Sequence, residues 1–173
     1  KWEEVRYNLY ANGLKVGHLI LWWEEAGATY KATFSLKTSG LARFFKKQDR
    51  YAQTTGTLNQ VEESTLELTP KHFHSRSLSK RKTRVIDIDY DEKGNAVKTV
   101  VTPPDNPAVR PPVSQHGKDG GLDPMTAFQV LFSAAVQNKP NDSVTIFDGR
   151  RLTRMMLSPA GQNPFKCKTC TVY

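Results

Sequence analysis

The stretch "GLDPMTAFQVLFSAAVQ", residues 121–137, constrains the fold more than any other part of the chain. Asp123 is suited to an N-cap, because its carboxylate can accept a hydrogen bond from a free amide of the first turn. Pro124 follows at the first helical position, where its missing N–H costs nothing and its fixed φ suits a helix. Neither Pro nor Gly recurs until Pro140, so a helix is predicted from about 124 to 137. Its polar residues, Thr126, Gln129, Ser133 and Gln137, fall three and four apart on one narrow stripe. About three quarters of the circumference is apolar. Such a helix calls for walls on several sides, yet it is shorter than the roughly 20 apolar residues that cross a bilayer. A core helix enclosed by something curved is the expectation.

The rest of the chain supplies material for those walls. "VRYNLY" puts Val5, Tyr7 and Leu9 on one face, and Asn12-Gly13 is a turn signal. "HLILWW" places Leu19, Leu21 and Trp23 opposite Ile20 and Trp22. "YKATFSLK" alternates Tyr30, Ala32, Phe34 and Leu36 with polar residues. "RYAQTTGTL", "STLELT" ending at Pro70, "RVIDIDY", "AVKTVV", "SVTIF" and "RRLTRMML" read likewise. About nine or ten short strands with tight turns describe an antiparallel meander with one inner and one outer face. A large antiparallel sheet twists and curls. The predicted fold is therefore mainly β, a curled antiparallel sheet forming an open or incomplete barrel around one central apolar helix. The polar stripe is expected to face the open side or a pocket. A short second helix is predicted at "SGLARFFKK", where Leu41, Phe44 and Phe45 share a face.

At 173 residues the chain fits one domain that needs neither metal nor disulfide to bury a core. Residues 103–122 hold five of the ten prolines and three of the eleven glycines, which predicts a long irregular loop. No domain boundary is expected there, because the helix after it needs the strands before it. Lys1-Trp2-Glu3-Glu4 runs straight into strand-like sequence, which suggests that a leader has been removed. The net charge of +8 suits an anionic polymer or lipid, or simply solubility. Aromatic residues interleave poorly with the basic runs, which argues against nucleic acid.

Several motifs invite a chemical reading. Cys167 and Cys170 in "CKTC" are too few for a structural zinc site without His72 or His74. They follow Pro164-Phe165 and run into strand-like sequence, which favours a structural role or a local disulfide over redox catalysis. "HFH" puts His72 and His74 on one strand face, more simply a half-exposed face than a metal site. Asp87, Asp89 and Asp91 have the first spacing of a calcium loop, but Glu92 stands where glycine is required. A solvated strand face leading into a hairpin explains them better. Lys80, Lys82 and Arg84 fall on the same side as Ile86, Ile88 and Tyr90, so they either sit at the mouth of a concavity those residues face or, more simply, form a solvated strand end. Ser114 and His116 are close in sequence, which does not make a catalytic pair. No nucleophile elbow, P-loop or dinucleotide fingerprint is present, and no cofactor is expected.

The order of short motifs resembles the bacterial domain of unknown function 3108 family. Those motifs are the Tyr7 strand with the Gly17 turn, Gly40-Leu41 after a strand, Gly56 inside the next, and Leu68-Thr69-Pro70 leading to "HFHSRS". Asp123-Pro124 then opens the apolar helix, and Asp148-Gly149-Arg150 forms a late hairpin turn. The resemblance implies export to the periplasm and an open, curled barrel around a helix. Similar half-barrels occur in periplasmic lipoprotein carriers, which cradle acyl chains. It implies no catalytic residues. The chain stops at Tyr173 in strand-like sequence, so further strands are expected beyond it. The leading expectation is a non-enzymatic envelope protein that binds a lipid-like or other amphipathic ligand, or an envelope protein partner, and does not span the membrane. Trp23, Phe34, Phe128, Leu131 and Phe132 would supply apolar contact, and Lys82 and Arg84 the basic mouth. The alternatives are a filled scaffold that takes partners at its strand edges, and a thiol redox protein using Cys167 and Cys170.

Overall fold

The computed structural model describes residues 1–40, 48–62, 65–79, 82–137 and 143–156. Alternating sequence becomes strand throughout: β1 (Trp2–Ala11), β2 (Leu14–Ala26), β3 (Thr29–Thr38), β4 (Gln48–Glu62), β5 (Thr65–Ser79), β6 (Lys82–Tyr90) and β7 (Ala96–Thr102). Two helices follow, α1 (Gln115–Lys118) and α2 (Pro124–Val136), then the hairpin β8 (Ser143–Phe147) and β9 (Leu152–Met156). Strands β1 to β7 form one antiparallel sheet in sequence order, and β8 pairs with β9. The large sheet is not closed, and β1 and β7 are its edges. The protein is thus mainly β, with an open seven-stranded meander and a small second sheet.

Turn chemistry sets the meander. Asn12 and Gly13 both have positive φ, 50° and 78°, as a two-residue hairpin turn requires. At the β6–β7 turn the Asp91 carboxylate accepts from the amides of Lys93 at 2.9 Å and Asn95 at 2.8 Å. These backbone hydrogen bonds, that from Asn95 foremost, hold its carboxyl below the ordinary range. Asp91 is therefore a turn residue, which accounts for it without calcium.

One segment departs from expectation. Strand β5 does not end at Pro70 but continues to Ser79. A register shift beside Gly56, which pairs with Pro70, makes a bulge there. A bulge tolerates a residue with no N–H to donate. Gly56 itself is required by close approach: a Cβ there would press into the Thr69 carbonyl oxygen and the Tyr30 ring. Tyr30 in turn stacks on Trp23, with ring centroids 4.9 Å apart.

The helix α2 packs on β3, β4, β5 and β8, and a buried polar cluster fixes it. Asp123 Oδ1 accepts from the amides of Met125 (2.9 Å) and Thr126 (3.1 Å), capping the helix. Its Oδ2 accepts from the hydroxyls of Thr126 (2.6 Å) and of Thr54 on β4 (3.0 Å). The Tyr30 hydroxyl on β3 lies 2.6 Å from Thr126 Oγ1. Asp123, Thr54 and Thr126 are all fully buried. One residue earlier, Leu122 bridges β8: its amide donates to the Thr145 carbonyl and its carbonyl accepts from the Phe147 amide. Phe147 then enters the main core with Phe73, Ile88, Tyr90 and Ala96.

This anchoring decides which side of the helix is buried. Its buried face is Thr126, Ala127, Leu131 and Ala134, while Phe128, Phe132 and Val136 are 52%, 55% and 71% exposed. Among the described residues it packs on the large sheet and on β8 of the small one, and the side bearing Phe128, Phe132 and Val136 is left open. Thr126, expected at an open side or pocket, is instead sealed against the sheet, because its hydroxyl has partners there. Residues 103–114 are irregular as expected, but the segment also contains α1, capped by Ser114 Oγ. Gln115 of α1 donates to the Ala96 carbonyl of β7 at 2.9 Å. The helix predicted at "SGLARFFKK" and the Cys167–Cys170 motif lie outside the described residues.

Two tests follow from the packing. Gly56→Ala is expected to cost about 1–3 kcal/mol and lower the melting temperature, since backbone and ring must both move. An unchanged melting temperature would show that the bulge relaxes freely. Asp123→Ala, which strands two amides and two hydroxyls, is expected to cost on the order of 3 kcal/mol. Burial pushes the Asp123 carboxyl up despite its hydrogen bonds. The native state then holds the proton more tightly than the unfolded chain. This contribution is full below the unfolded pKa and is lost as pH rises through the folded one. Denaturant unfolding should therefore show the wild type losing ground to Asp123→Asn as pH rises from about 4 upward. A difference that does not vary with pH would contradict this.

Candidate functional site

The face of the sheet that carries α2 is built from cross-strand rows. One row runs Val5, Leu21, Phe34, Ala52, Ser75, Ile86 and Val101 across all seven strands. Two residues along each strand, the next row runs Tyr7, Leu19, Leu36, Arg50, Ser77 and Arg84. Alternation puts both rows on the same face. The first row is almost wholly apolar. The second changes from apolar on β1–β3 to basic and hydroxylic on β4–β6.

Above these rows lies a cavity of about 510 Å³. Leu19, Leu21, Phe34, Ala52, Phe73 and Ile86 form its floor, and Met125 and Phe128 reach over it from α2. Arg50, Arg84 and Arg150 line its polar end, with Ser75 and Ser77 between, while Arg76 at its rim alternates to the outer face. Asp148 is the one carboxylate in the lining. The volume lies within the range of small-molecule sites, roughly 300–1,000 Å³. A smaller cleft of about 180 Å³ adjoins it, sharing Leu21, Met125 and Phe128 and adding Trp23 and Phe132.

Asp105 organises the basic end from the proline-rich loop. Its carboxylate accepts from Arg150 through Nε at 2.6 Å and Nη2 at 2.7 Å, a two-pronged pair. Arg84 lies 3.5 Å and Arg110 3.7 Å from the same carboxylate. The hydrogen bonds from Arg150 hold the Asp105 carboxyl below its ordinary value, and the charge of Arg84 adds to this. One carboxylate thus faces three guanidinium groups, so the end of the cavity keeps excess positive charge.

The predicted residues divide. Phe34, Phe128 and Arg84 line the main cavity. Trp23 and Phe132 line the adjoining cleft, Trp23 donating from Nε1 to Glu25 at 2.8 Å. Two do not fit their expected place. Leu131 faces the sheet, 7% exposed, and lines neither space, because the Asp123 cluster turns that side of the helix inward. Lys82 is exposed at the start of β6, one row beyond the cavity. Lys80 lies outside the described residues. Arg50 and Arg150 were not picked out from sequence: Arg50 needs the β4 register, and Arg150 needs the contact between hairpin and loop. Ser114 caps α1 with its hydroxyl and His116 is fully exposed, so the two do not form a dyad.

His72 and His74 lie on the opposite, outer face, where the register sets them against Asp89 and Asp87. Each Nδ1 is 2.7 Å from its partner's carboxylate. The aspartates read as a solvated strand face thus have specific partners.

Fold and cavity together define an open antiparallel β-sheet protein with an amphipathic cavity between its sheet and its helix. The chain belongs to the family described as Protein of unknown function (DUF3108), whose model matches residues 6–172. No curated protein and no solved structure matched the chain. No helix among the described residues is long and apolar enough to cross a membrane.

Asp105→Asn should loosen the proline-rich loop. Hydrogen exchange at the Val109 and Arg110 amides, which bond to the Asn106 carbonyl, is expected to speed up while β5 is unaffected. Because the Asp105 pKa is depressed, the wild type should lose this protection only as pH falls through that lowered value. Unaltered exchange in the variant would mean that other contacts hold the loop.

Proposed function

We propose that this protein is a non-enzymatic binding protein of the bacterial periplasm that holds an acidic, lipid-like amphipathic ligand. In this reading the seven-stranded sheet curls as a half-barrel about α2, and the cavity beneath the helix is the ligand site. One observation carries the proposal: a cavity of about 510 Å³ has an apolar floor at one end and three arginines, Arg50, Arg84 and Arg150, at the other. An apolar chain would lie over Leu21, Phe34 and Ile86 and continue into the cleft beside Trp23 and Phe132. An anionic head would meet Arg50 and Arg84. Arg150, already paired with Asp105, would shape that end rather than supply free charge. Phe128 and Phe132, 52% and 55% exposed, are the apolar surface that such a chain would cover. The periplasmic location is part of the proposal and rests on what the family resemblance implies.

Native mass spectrometry with two single-chain amphiphiles of equal length, one bearing a phosphate monoester and one neutral, tests this reading. The acidic amphiphile should bind one to one and preferentially. A hydrogen bond to a charged group contributes about 1.5–3 kcal/mol, so Arg84→Glu should weaken acidic binding at least about tenfold and spare the neutral compound. Phe128→Asp, at a position already half exposed, should weaken both. Equal binding of the two, or none, would sink the proposal and turn attention to the open edge of β1 as a site for a partner strand.

A further inference from the structure

The proline-rich loop encloses a second cavity, of about 260 Å³, that the amphiphile of the main cavity does not use. Pro104, Pro107, Pro111 and Pro112 wall it on the loop side, and Val101 of β7 and Phe147 of β8 on the sheet side. Thr99, Asp105, Arg110, Lys118 and Arg150 supply its polar groups. Arg150 also lines the main cavity, so this residue, fixed by its two-pronged bond to Asp105, is a wall that the two spaces share.

Buried polar atoms are almost always hydrogen-bonded, so one without a partner calls for an explanation. Four such side-chain atoms occur among the described residues, and two of them, Thr99 Oγ1 and Arg110 Nη1, belong to residues of this one lining. Arg110 weighs most, because a guanidinium keeps its charge and has only donors. The Asp105 carboxylate lies 3.7 Å from Arg110 Nη1, beyond hydrogen-bond reach, and both of its oxygens already accept from Arg150. Lys118, its ammonium 5.6 Å from the centre of the Phe147 ring, adds a third cation. Three cations against one carboxylate leave the lining short of negative charge and of acceptors.

Water would meet the two donors but leave the charge excess and the apolar walls unused. An inorganic anion would meet the charge and waste the walls. A carboxylate on a compact apolar body uses both, because it brings acceptors for Arg110 and Thr99 and an apolar surface for the prolines and Phe147. Ligand sites have this make-up, mostly apolar with a few convergent polar groups. An apolar cavity of about 150 Å³ holds benzene, so one of about 260 Å³ has room for a ring with its carboxylate. The fixed φ of four prolines holds one wall in place before binding. We propose that this cavity binds a small organic carboxylate of benzoate size, anchored by Arg110 and Thr99, independently of the amphiphile in the main cavity. Arg110 Nη1 is covered in the unliganded protein, so binding turns this partly exposed guanidinium toward the ligand.

The test is NMR titration of the isotope-labelled full chain with benzoate, benzamide and acetate. Benzoate should shift the amides of Thr99, Val101 and Arg110 saturably, as one site. Benzamide, which keeps the shape without the charge, and acetate, which keeps the charge without the ring, should each bind at least about tenfold more weakly. Arg110→Gln should weaken benzoate binding at least about tenfold, and Thr99→Val, which keeps the shape without the hydroxyl, about two- to tenfold. Lys98→Ala, which removes an exposed positive charge from the other face of β7, should leave it unchanged. Circular dichroism of each variant confirms that the fold persists. Absence of saturable benzoate binding would mean that water alone meets the two donors, and would overturn the proposal. So would equal binding of benzamide, binding that survives both Arg110→Gln and Thr99→Val, or shifts centred on Arg50 and Arg84, which would put the benzoate in the main cavity.

Discussion

A single buried carboxylate organises this molecule. Asp123 accepts four hydrogen bonds, two from its own helix's first-turn amides and two from hydroxyls, one of which belongs to the sheet. Burying a carboxylate is costly unless its lone pairs are used, and here all are used. The same few residues fix everything downstream. Leu122 immediately before it bridges β8, β8 sends Phe147 into the core, and the following turn presents Arg150 to Asp105. The apolar overhang of the cavity, Met125 and Phe128, is placed from the other side of the same residue. Helix position, hairpin position and cavity rim are thus set by one hydrogen-bonded point and not by separate patches of apolar contact.

The cavity exists because the helix covers the sheet unevenly. It packs on β3, β4 and β5, and the main core lies between β5–β7 and Phe147. On the other side, β1 extends apolar side chains that stay largely exposed: Val5 and Tyr7 are 44% and 50% exposed. Leaving such surface in water forgoes roughly 25 cal/mol for each square ångström not buried. This exposed apolar surface beside a basic rim is what the proposed ligand would cover.

Much of the fold was legible in the sequence because alternation is a local signal. Each strand carried its own period of two, and Asn12-Gly13 and Asp148-Gly149 marked hairpin turns without reference to the rest. Asp123-Pro124 fixed the helix start. What the sequence did not carry was which side of that helix would be buried. Counting apolar residues treats Thr126 as surface, whereas its hydroxyl, bonded to Asp123 and Tyr30, makes it one of the fully buried residues of the helix. Pro70 misled for a related reason, since only the pairing with Gly56 reveals the bulge that accommodates it. The site was half legible. Phe34, Phe128 and Arg84 follow from face and charge alone, but Arg50 joins Arg84 only through the register that links β4 to β6 by way of Ser77. The histidines and aspartates were each visible as alternating pairs; that they meet is again a matter of register.

Register also couples the two faces. Strands β4 to β6 supply Arg50, Ser77 and Arg84 on one side and Gln53, His74 and Asp87 on the other, from the same backbone. Phe73 and Ile88 sit between the polar residues of the outer face and lock the alternation. A slip of one residue would bring His72 and Asp89 inward and drive Phe73 and Ile88 out of the core to solvent. The pairing that protects the core is therefore the pairing that aligns the arginines within and the histidines without. A change in the spacing of β5 against β6 cannot alter one face and leave the other as it was.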